Sequence, residues 1–226
     1  MVSRYQINNV KVYKYVMPLI TSNMYLLIIG KQALVVDPHE DSEVEALLND
    51  HGVKEIIIIL THEHFDHISG VNFFRERWNC KVYGNQKCKE MVTDPAKNLS
   101  AFYMAMFITK SKKEQEMAQE VFVDQYSCQI DVGFEETMDM EFDSLSVKMI
   151  ETPGHSPGSI CIIIDQKYIF TGDSLVGGNK VITRLPGGSR KEYNEITRPF
   201  LEGLQEDIIV FPGHGEEGKR KDFEIG

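Results

Sequence analysis

The sequence predicts an α/β (α+β) protein built as a four-layer αββα sandwich, with two sheets face to face and helices outside. Three observations predict it. Strand-like and helix-like stretches alternate through the first hundred residues, with short β runs in front. The second half repeats that β-then-α order. Between the halves lies a segment of different character, about residues 98–130, which reads as a helical insert. Sheets and helices each with an apolar face to cover stack stably in such layers. No composition shift or low-complexity linker marks a boundary, so residues 1–226 read as one domain carrying the insert.

The elements follow from periodicity and turn chemistry. Residues 10–17 and 24–29 read as strands joined by a turn from Pro18 to Asn23, and 33–37 as a third strand ending at Asp37-Pro38. A helix is predicted over Ser42 to His51, with Val44, Leu47 and Leu48 on one face and Gly52 ending it. Ile56-Ile57-Ile58-Ile59-Leu60 is a fully buried strand. Residues 71–78 look helical and 80–83 form a short strand. In the second half, 139–150 holds two strand-like stretches around Asp143-Ser144, and strands 159–164 and 168–171 flank a turn at Asp165-Gln166. A helix at about 191–204 and a buried strand at 207–211 close the domain.

The insert has an apolar cluster, Phe102, Tyr103, Met104, Met106, Phe107 and Ile108. A charged stretch from Lys110 to Glu120 follows as an exposed helix, and then Val121, Phe122 and Val123. Three readings are open: a helical insert packed on the core, a lid or wall of a substrate pocket, or a homodimer contact.

With 226 residues, 42% of them hydrophobic, the chain can bury a sizeable core. Its formal charge of −10 argues against nucleic acid as a partner, which wants a basic surface. Two bound dications would offset part of that charge and make a site locally positive, so a small anionic substrate stays open. Cys80, Cys88, Cys128 and Cys161 contain no Cys-x-x-Cys pair and read as reduced, buried or half-buried residues. Arg4, Gln6 and Asn8 interrupt any apolar run at the N-terminus, and no stretch approaches a membrane span. The expectation is a cytoplasmic enzyme that does not engage a membrane.

Directly after the isoleucine strand comes Thr61-His62-Glu63-His64-Phe65-Asp66-His67. Imidazole and carboxylate are donors that suit zinc and its first-row neighbours, and the end of a buried strand is where α/β proteins build sites. Three further turns offer the same donor types. His155 sits in Thr152-Pro153-Gly154-His155-Ser156-Pro157-Gly158, Asp173 in Phe170-Thr171-Gly172-Asp173-Ser174, and His214 in Phe211-Pro212-Gly213-His214-Gly215. Gly/Pro-rich turns at strand ends hold one side chain rigidly. His62, His64, Asp66, His67, His155, Asp173 and His214 are together enough for two metal ions. His39 and His51 lack such a setting.

These segments, in this order, resemble the metallo-β-lactamase-fold hydrolases, in style the glyoxalase-II-like branch. The resemblance runs from Val36-Asp37-Pro38 to Pro212-Gly213-His214-Gly215. It implies that His62, His64 and His155 hold one divalent ion, that Asp66, His67 and His214 hold a second, and that Asp173 bridges them. It implies that Asp37 orients the histidine loop from behind, against the plainer reading of a helix or turn cap. Where the family usually has glycine this chain has His39, read as a surface histidine. Zinc is the first choice of ion, with iron or manganese possible; His64 stands where flavo-di-iron relatives carry glutamate, which argues for hydrolysis over redox work.

The implied chemistry is a bridging hydroxide formed from water whose pKa falls from about 15.7 to near 7 between two dications. Asp66 is the catalytic candidate, orienting that hydroxide and taking its proton, beside its role as ligand. The implied substrate is a small thioester, ester or lactone. The alternatives are a non-hydrolytic metal-binding or redox protein on the same fold, or a phosphodiester hydrolase. The familiar β-lactamases carry a cysteine where Asp173 stands, so antibiotic degradation is not expected. RNA-processing relatives add an exosite arm and basic surface. Glyoxalase II continues into a helical glutathione-holding domain, whereas this chain ends at residue 226, twelve residues past His214, so glutathione specificity is in doubt. Leu185-Pro186-Gly187-Gly188 matches the small hydrolases, but their upstream arginine is replaced. Lys180 or Arg184 is the candidate to meet a substrate carboxylate or phosphate, the plainer reading being solvated surface charge.

Overall fold

A computed structural model describes residues 2–122, 124–178 and 180–226, with side chains from residue 5. Val123 at the end of the insert and Asn179 in the loop before Leu185-Pro186 lie outside the described residues.

Seven strands form the first sheet in chain order: β1 (Val2–Ile7), β2 (Val10–Val16), β3 (Asn23–Ile29), β4 (Gln32–Val36), β5 (Glu55–Ile59), β6 (Asn79–Asn85) and β7 (Val132–Phe134). Neighbours from β1 to β4 pair antiparallel, and β4 to β7 pair parallel. The second sheet holds β8 (Thr137–Phe142), β9 (Leu145–Glu151), β10 (Ile160–Ile164), β11 (Tyr168–Gly172), β12 (Ile209–Pro212) and β13 (Gly218–Lys219), in the order β13-β12-β11-β10-β9-β8. The helices are α1 (Ser42–Asp50), α2 (Phe65–Ile68), α3 (Val71–Arg77), α4 (Gln86–Met91), α5 (Lys112–Val121), α6 (Arg190–Glu192) and α7 (Arg198–Glu202).

The alternation of strand side chains builds the layers. Tyr25 and Leu27 of β3, Leu34 and Val36 of β4, and Ile59 of β5 point inward. They meet Ile160, Ile162 and Ile164 of β10, Phe170 of β11 and Phe211 of β12. Phe170 and Phe211 stack at 4.7 Å, and Tyr25 meets both edge-on. The opposite faces of the same strands are also apolar. Met24, Leu26, Ala33, Val35, Ile56 and Ile58 pack under α1, α3 and the insert. Cys161, Ile169 and Val210 pack under Leu201 of α7 and Tyr193. This is the αββα sandwich, and its two-sided burial explains the unbroken isoleucine run of β5.

The insert folds as a 3-10 stretch, Ser100–Phe107, followed by α5, whose start carries a capping box between Ser111 and Glu114. Leu99, Tyr103, Phe107, Ala118, Phe122 and Tyr126 join the outer core of the first sheet. The helical insert therefore packs on the core, while Phe102, Met106 and Ile108 stay exposed.

The expected helix at 191–204 is three pieces. Residues Tyr193–Thr197 form a π turn between α6 and α7, with the Arg198 amide bonded to the Tyr193 carbonyl. Pro199 stands at the start of α7 and has no amide to donate, so the wider turn absorbs the break. All four cysteines are free, with Cys80 half-buried and the others buried.

Candidate metal centre

The parallel run β4-β5-β6 delivers the histidine loop. β5 ends at Ile59, and Thr61 to Ile68 then run buried into α2, a helix of four residues. Asp37 leaves β4 with φ of 53°, a left-handed conformation that aspartate tolerates better than most residues. Its carboxylate sits beneath the loop. Oδ1 accepts from the Thr61 amide at 2.7 Å, and Oδ2 accepts from the Thr61 hydroxyl at 2.6 Å and His67 Nδ1 at 2.9 Å.

These contacts decide which ring nitrogens stay available. His67 gives its Nδ1 proton to Asp37, which leaves Nε2 as a lone pair. His62 Nδ1 donates to Thr61 Oγ1 at 3.0 Å, because that hydroxyl spends its own proton on Asp37. His155 Nδ1 donates to the Ile182 carbonyl at 2.8 Å. The Nε2 atoms of His62 and His67 and Oδ1 of Asp173 are buried with no hydrogen-bond partner among the described residues. His155 Nε2 and His64 Nδ1 face each other at 3.0 Å. Buried lone pairs converging on one point are costly unless a cation takes them. The residues present therefore fit divalent ions.

Two trios of donor atoms lie within 4.8 Å of one another: His62, His64 and His155, and Asp66, His67 and His214. Asp173 stands between them, with Oδ2 at 3.5 Å from His155 Nε2 and 3.6 Å from His214 Nε2. Asp66 Oδ2 faces the Nε2 atoms of His67 at 3.3 Å and His214 at 3.4 Å. Asp37, His62 and His67 make a third such group, but both Asp37 oxygens are already spent on Thr61 and His67.

Burial lowers the pKa of His62, His64 and His155, in His64 to about 3, so these rings are neutral donors. At His67 burial also opposes charge, but Asp66, Asp173 and Asp37 together raise its pKa well above the ordinary value. His214 is raised by Asp66 and Asp173 against its own burial. Burial pushes the carboxyls of Asp66 and Asp173 up, and the surrounding histidines overcome it, holding both low.

The second half of the centre hangs on the first sheet. Ser22 bridges to His214, the Asn23 amide donates to Gly213 O at 2.7 Å, and Asn23 Nδ2 reaches Pro212 O and Gly215 O, both at 2.9 Å. Lys14, nearly buried, donates to Gly215 O and to the carboxylates of Glu216 and Glu217 at 3.0–3.1 Å. Gly213 allows the close approach: a Cβ there would lie 2.3 Å from Asp173 Oδ1 and 2.9 Å from His67 Cε1.

Sequence reasoning missed three supports. Glu63, fully buried between two candidate ligands, accepts from Ser156 Oγ at 2.9 Å and so ties the histidine loop to the His155 turn. Burial raises its carboxyl pKa to about 7. Tyr103 of the insert donates its hydroxyl to Asp66 Oδ1. Burial, with the Asp66 charge, raises the pKa of that phenol well above the ordinary value. Lys14 is the third. Glu63 lies inside the histidine motif but is not itself a candidate ligand, and no local motif marks Tyr103 or Lys14. His39 corrects an expectation: it is 1% exposed rather than on the surface, with its ring nitrogens facing Glu40 O and Tyr15 O and Gly70 against its backbone. Lys180 lines a cavity of about 590 Å³ with Thr21, His155, Asp173, Ile182 and His214, whereas Arg184 is exposed outside that lining.

Residues 17–214 match the sequence profile of the Metallo-beta-lactamase superfamily. The chain belongs to the metallo-β-lactamase superfamily. Curated relatives include a probable metallo-hydrolase of Bacillus subtilis, 28% identical over 88% of this chain and 87% of that protein. A probable metallo-hydrolase of Methanocaldococcus jannaschii is 30% identical over 90% of this chain and 92% of its own. A hydroxyacylglutathione hydrolase of Glaesserella parasuis is 26% identical over 85% of this chain and 66% of its own. Among solved structures, the B3 metallo-β-lactamase BLEG-1 superposes with a TM-score of 0.75 and 25% identity, covering 93% of this chain and 95% of that one. The metallo-β-lactamase fold and a metallo-hydrolase at family level are thereby established. No helix among the described residues is long and apolar enough to cross a membrane.

Proposed function

We propose that the chain is a hydrolase of small thioesters, esters or lactones working with two divalent metal ions, zinc before iron or manganese. The observation that carries this reading is the gathering of donor atoms from both halves around Asp173, with His62 Nε2, His67 Nε2 and Asp173 Oδ1 buried and without a hydrogen-bond partner among the described residues. His62, His64 and His155 would hold one ion, Asp66, His67 and His214 the other, and Asp173 would reach both. Bound there, the ions supply Lewis acidity and an activated water.

The chain's own residues do the rest. Asp66 Oδ2 faces the site and is the acceptor for a proton released there. Val176 and Ile182 give the cavity apolar walls, and Lys180 gives it one cation. That combination suits a small acyl compound carrying a negative group. The hydroxyacylglutathione hydrolase relative supports a thioester, and the B3 metallo-β-lactamase likeness is the reason to test a β-lactam beside it.

The deciding experiment is metal analysis of purified protein together with a thioester, ester, lactone, phosphodiester and β-lactam panel. Two ions per chain and turnover of a small acyl substrate that Asp66→Ala abolishes are expected. Two ions with no hydrolysis of any member, or activity untouched by Asp66→Ala, would sink the reading. Turnover confined to the phosphodiester or the β-lactam would replace it.

A further inference from the structure

The two oxygens of Asp66 have different partners. Oδ2 faces His67 and His214, while Oδ1 accepts the Tyr103 hydroxyl. Tyr103 thus occupies one acceptor site of Oδ1 and holds the carboxylate with Oδ2 turned toward His67 and His214. α2, which carries Asp66, is too short to hold its own shape. The insert and its flanks hold it at three points. The Phe65 amide donates to Asn98 O at 2.9 Å, Tyr103 takes Asp66, and Tyr126 Oη donates to Ile68 O at 3.1 Å. The Tyr103 ring packs on Phe65 at 5.2 Å and on Phe122 at 5.8 Å between centroids.

We propose that Tyr103 is a positioning residue for the second metal site: through its hydroxyl, the insert fixes the orientation of the Asp66 carboxylate, with Oδ2 toward His67 and His214, and so sets that site's affinity. Coupling is reciprocal, so an ion at the second site also steadies the insert. The inference rests on the two-ion part of the function proposed above. It needs no substrate to test, so the hydrolase reading can fail while it stands.

The test compares the wild-type chain with Tyr103→Phe and Phe122→Leu, using Zn²⁺ titrations against a chromophoric chelator and the visible spectrum of the Co²⁺-loaded protein. Tyr103→Phe keeps the ring packing and removes only the donor. It should leave the first ion's affinity intact, weaken the second about 10–100-fold and alter the second Co²⁺ spectrum. Phe122→Leu loosens the insert but keeps the hydroxyl, so the melting temperature should fall while both affinities hold. Hydrogen exchange over residues 100–107 should slow as the second ion binds to the wild type and change less in Tyr103→Phe. Unchanged second-site affinity in Tyr103→Phe overturns the inference. Equal weakening by Phe122→Leu also overturns it, since packing alone would then explain the effect. A wild-type chain that takes up only one ion overturns both this inference and the two-ion reading.

Discussion

His155 is held by one ring nitrogen on the Ile182 carbonyl and presents the other to His64 and Asp173. Replacing it with alanine removes one of three donors from the first trio. His155→Ala should lower the metal content by about one ion per chain and abolish most activity, with circular dichroism unchanged. Native occupancy and rates would break the ligand assignment. Glu63 makes a second prediction. Its folded pKa, about 7, lies above the ordinary 4.5, so the fold favours its protonated form. That contribution is fully present below the unfolded value and is lost as pH rises through 7. The shift corresponds to about 3 kcal/mol. Urea unfolding of metal-free protein from pH 4.5 to 8 should show a loss of that order, and Glu63→Gln should flatten it. Parallel curves for the two proteins would refute the assignment.

At the scale of elements, α5 depends on its capping box, since most of its residues face solvent. Ser111→Ala should cost about 1 kcal/mol, read as a fall in midpoint without a change in denaturant slope. In β5, Ile58 is fully buried beneath the outer helices, and Ile58→Ala should cost about 2–5 kcal/mol by leaving a cavity. The elements legible in the sequence were those with a strong local signal, such as the isoleucine run of β5 or the turn at Asp143-Ser144. β7 was not, because three residues acquire strand structure only by pairing with Tyr83 to Asn85 of β6. β13, two residues long, owes its identity to β12 in the same way. The candidate ligands were legible because each lies in a short motif at a strand end. Tyr103 was not, because it is one aromatic in an apolar cluster and meets Asp66 across 37 positions. Lys14 and Glu217 meet across 203.

Across the whole molecule, the two trios differ in their hold on protons. The carboxylates around His67 and His214 raise their pKa values, while burial lowers those of His62, His64 and His155. A raised pKa means that protons compete with a metal up to higher pH. Acidification should therefore release the ion held by Asp66, His67 and His214 first, seen as two steps in metal content after dialysis from pH 8 to 4. Simultaneous loss, or the reverse order, would contradict this. In the proposed two-ion centre, both ions would join the histidine loop of the first half to turns of the second. Chelation should lower the melting temperature in proportion to the affinities, about 4 kcal/mol for an ion present at 1,000 times its Kd.

The strand pairing also separates the two rims of the sandwich. The ends of β5, β9, β11 and β12 carry the candidate metal ligands. The opposite rim carries the turns at 30–31, 143–144 and 165–167, with Asn8 bonded to Asp165 across the two sheets. That rim is a natural handle. A dye, a surface tether or an inserted peptide at Asp143-Ser144 would leave the cavity facing free solution, so the molecule can be immobilised in one orientation and assayed while fixed.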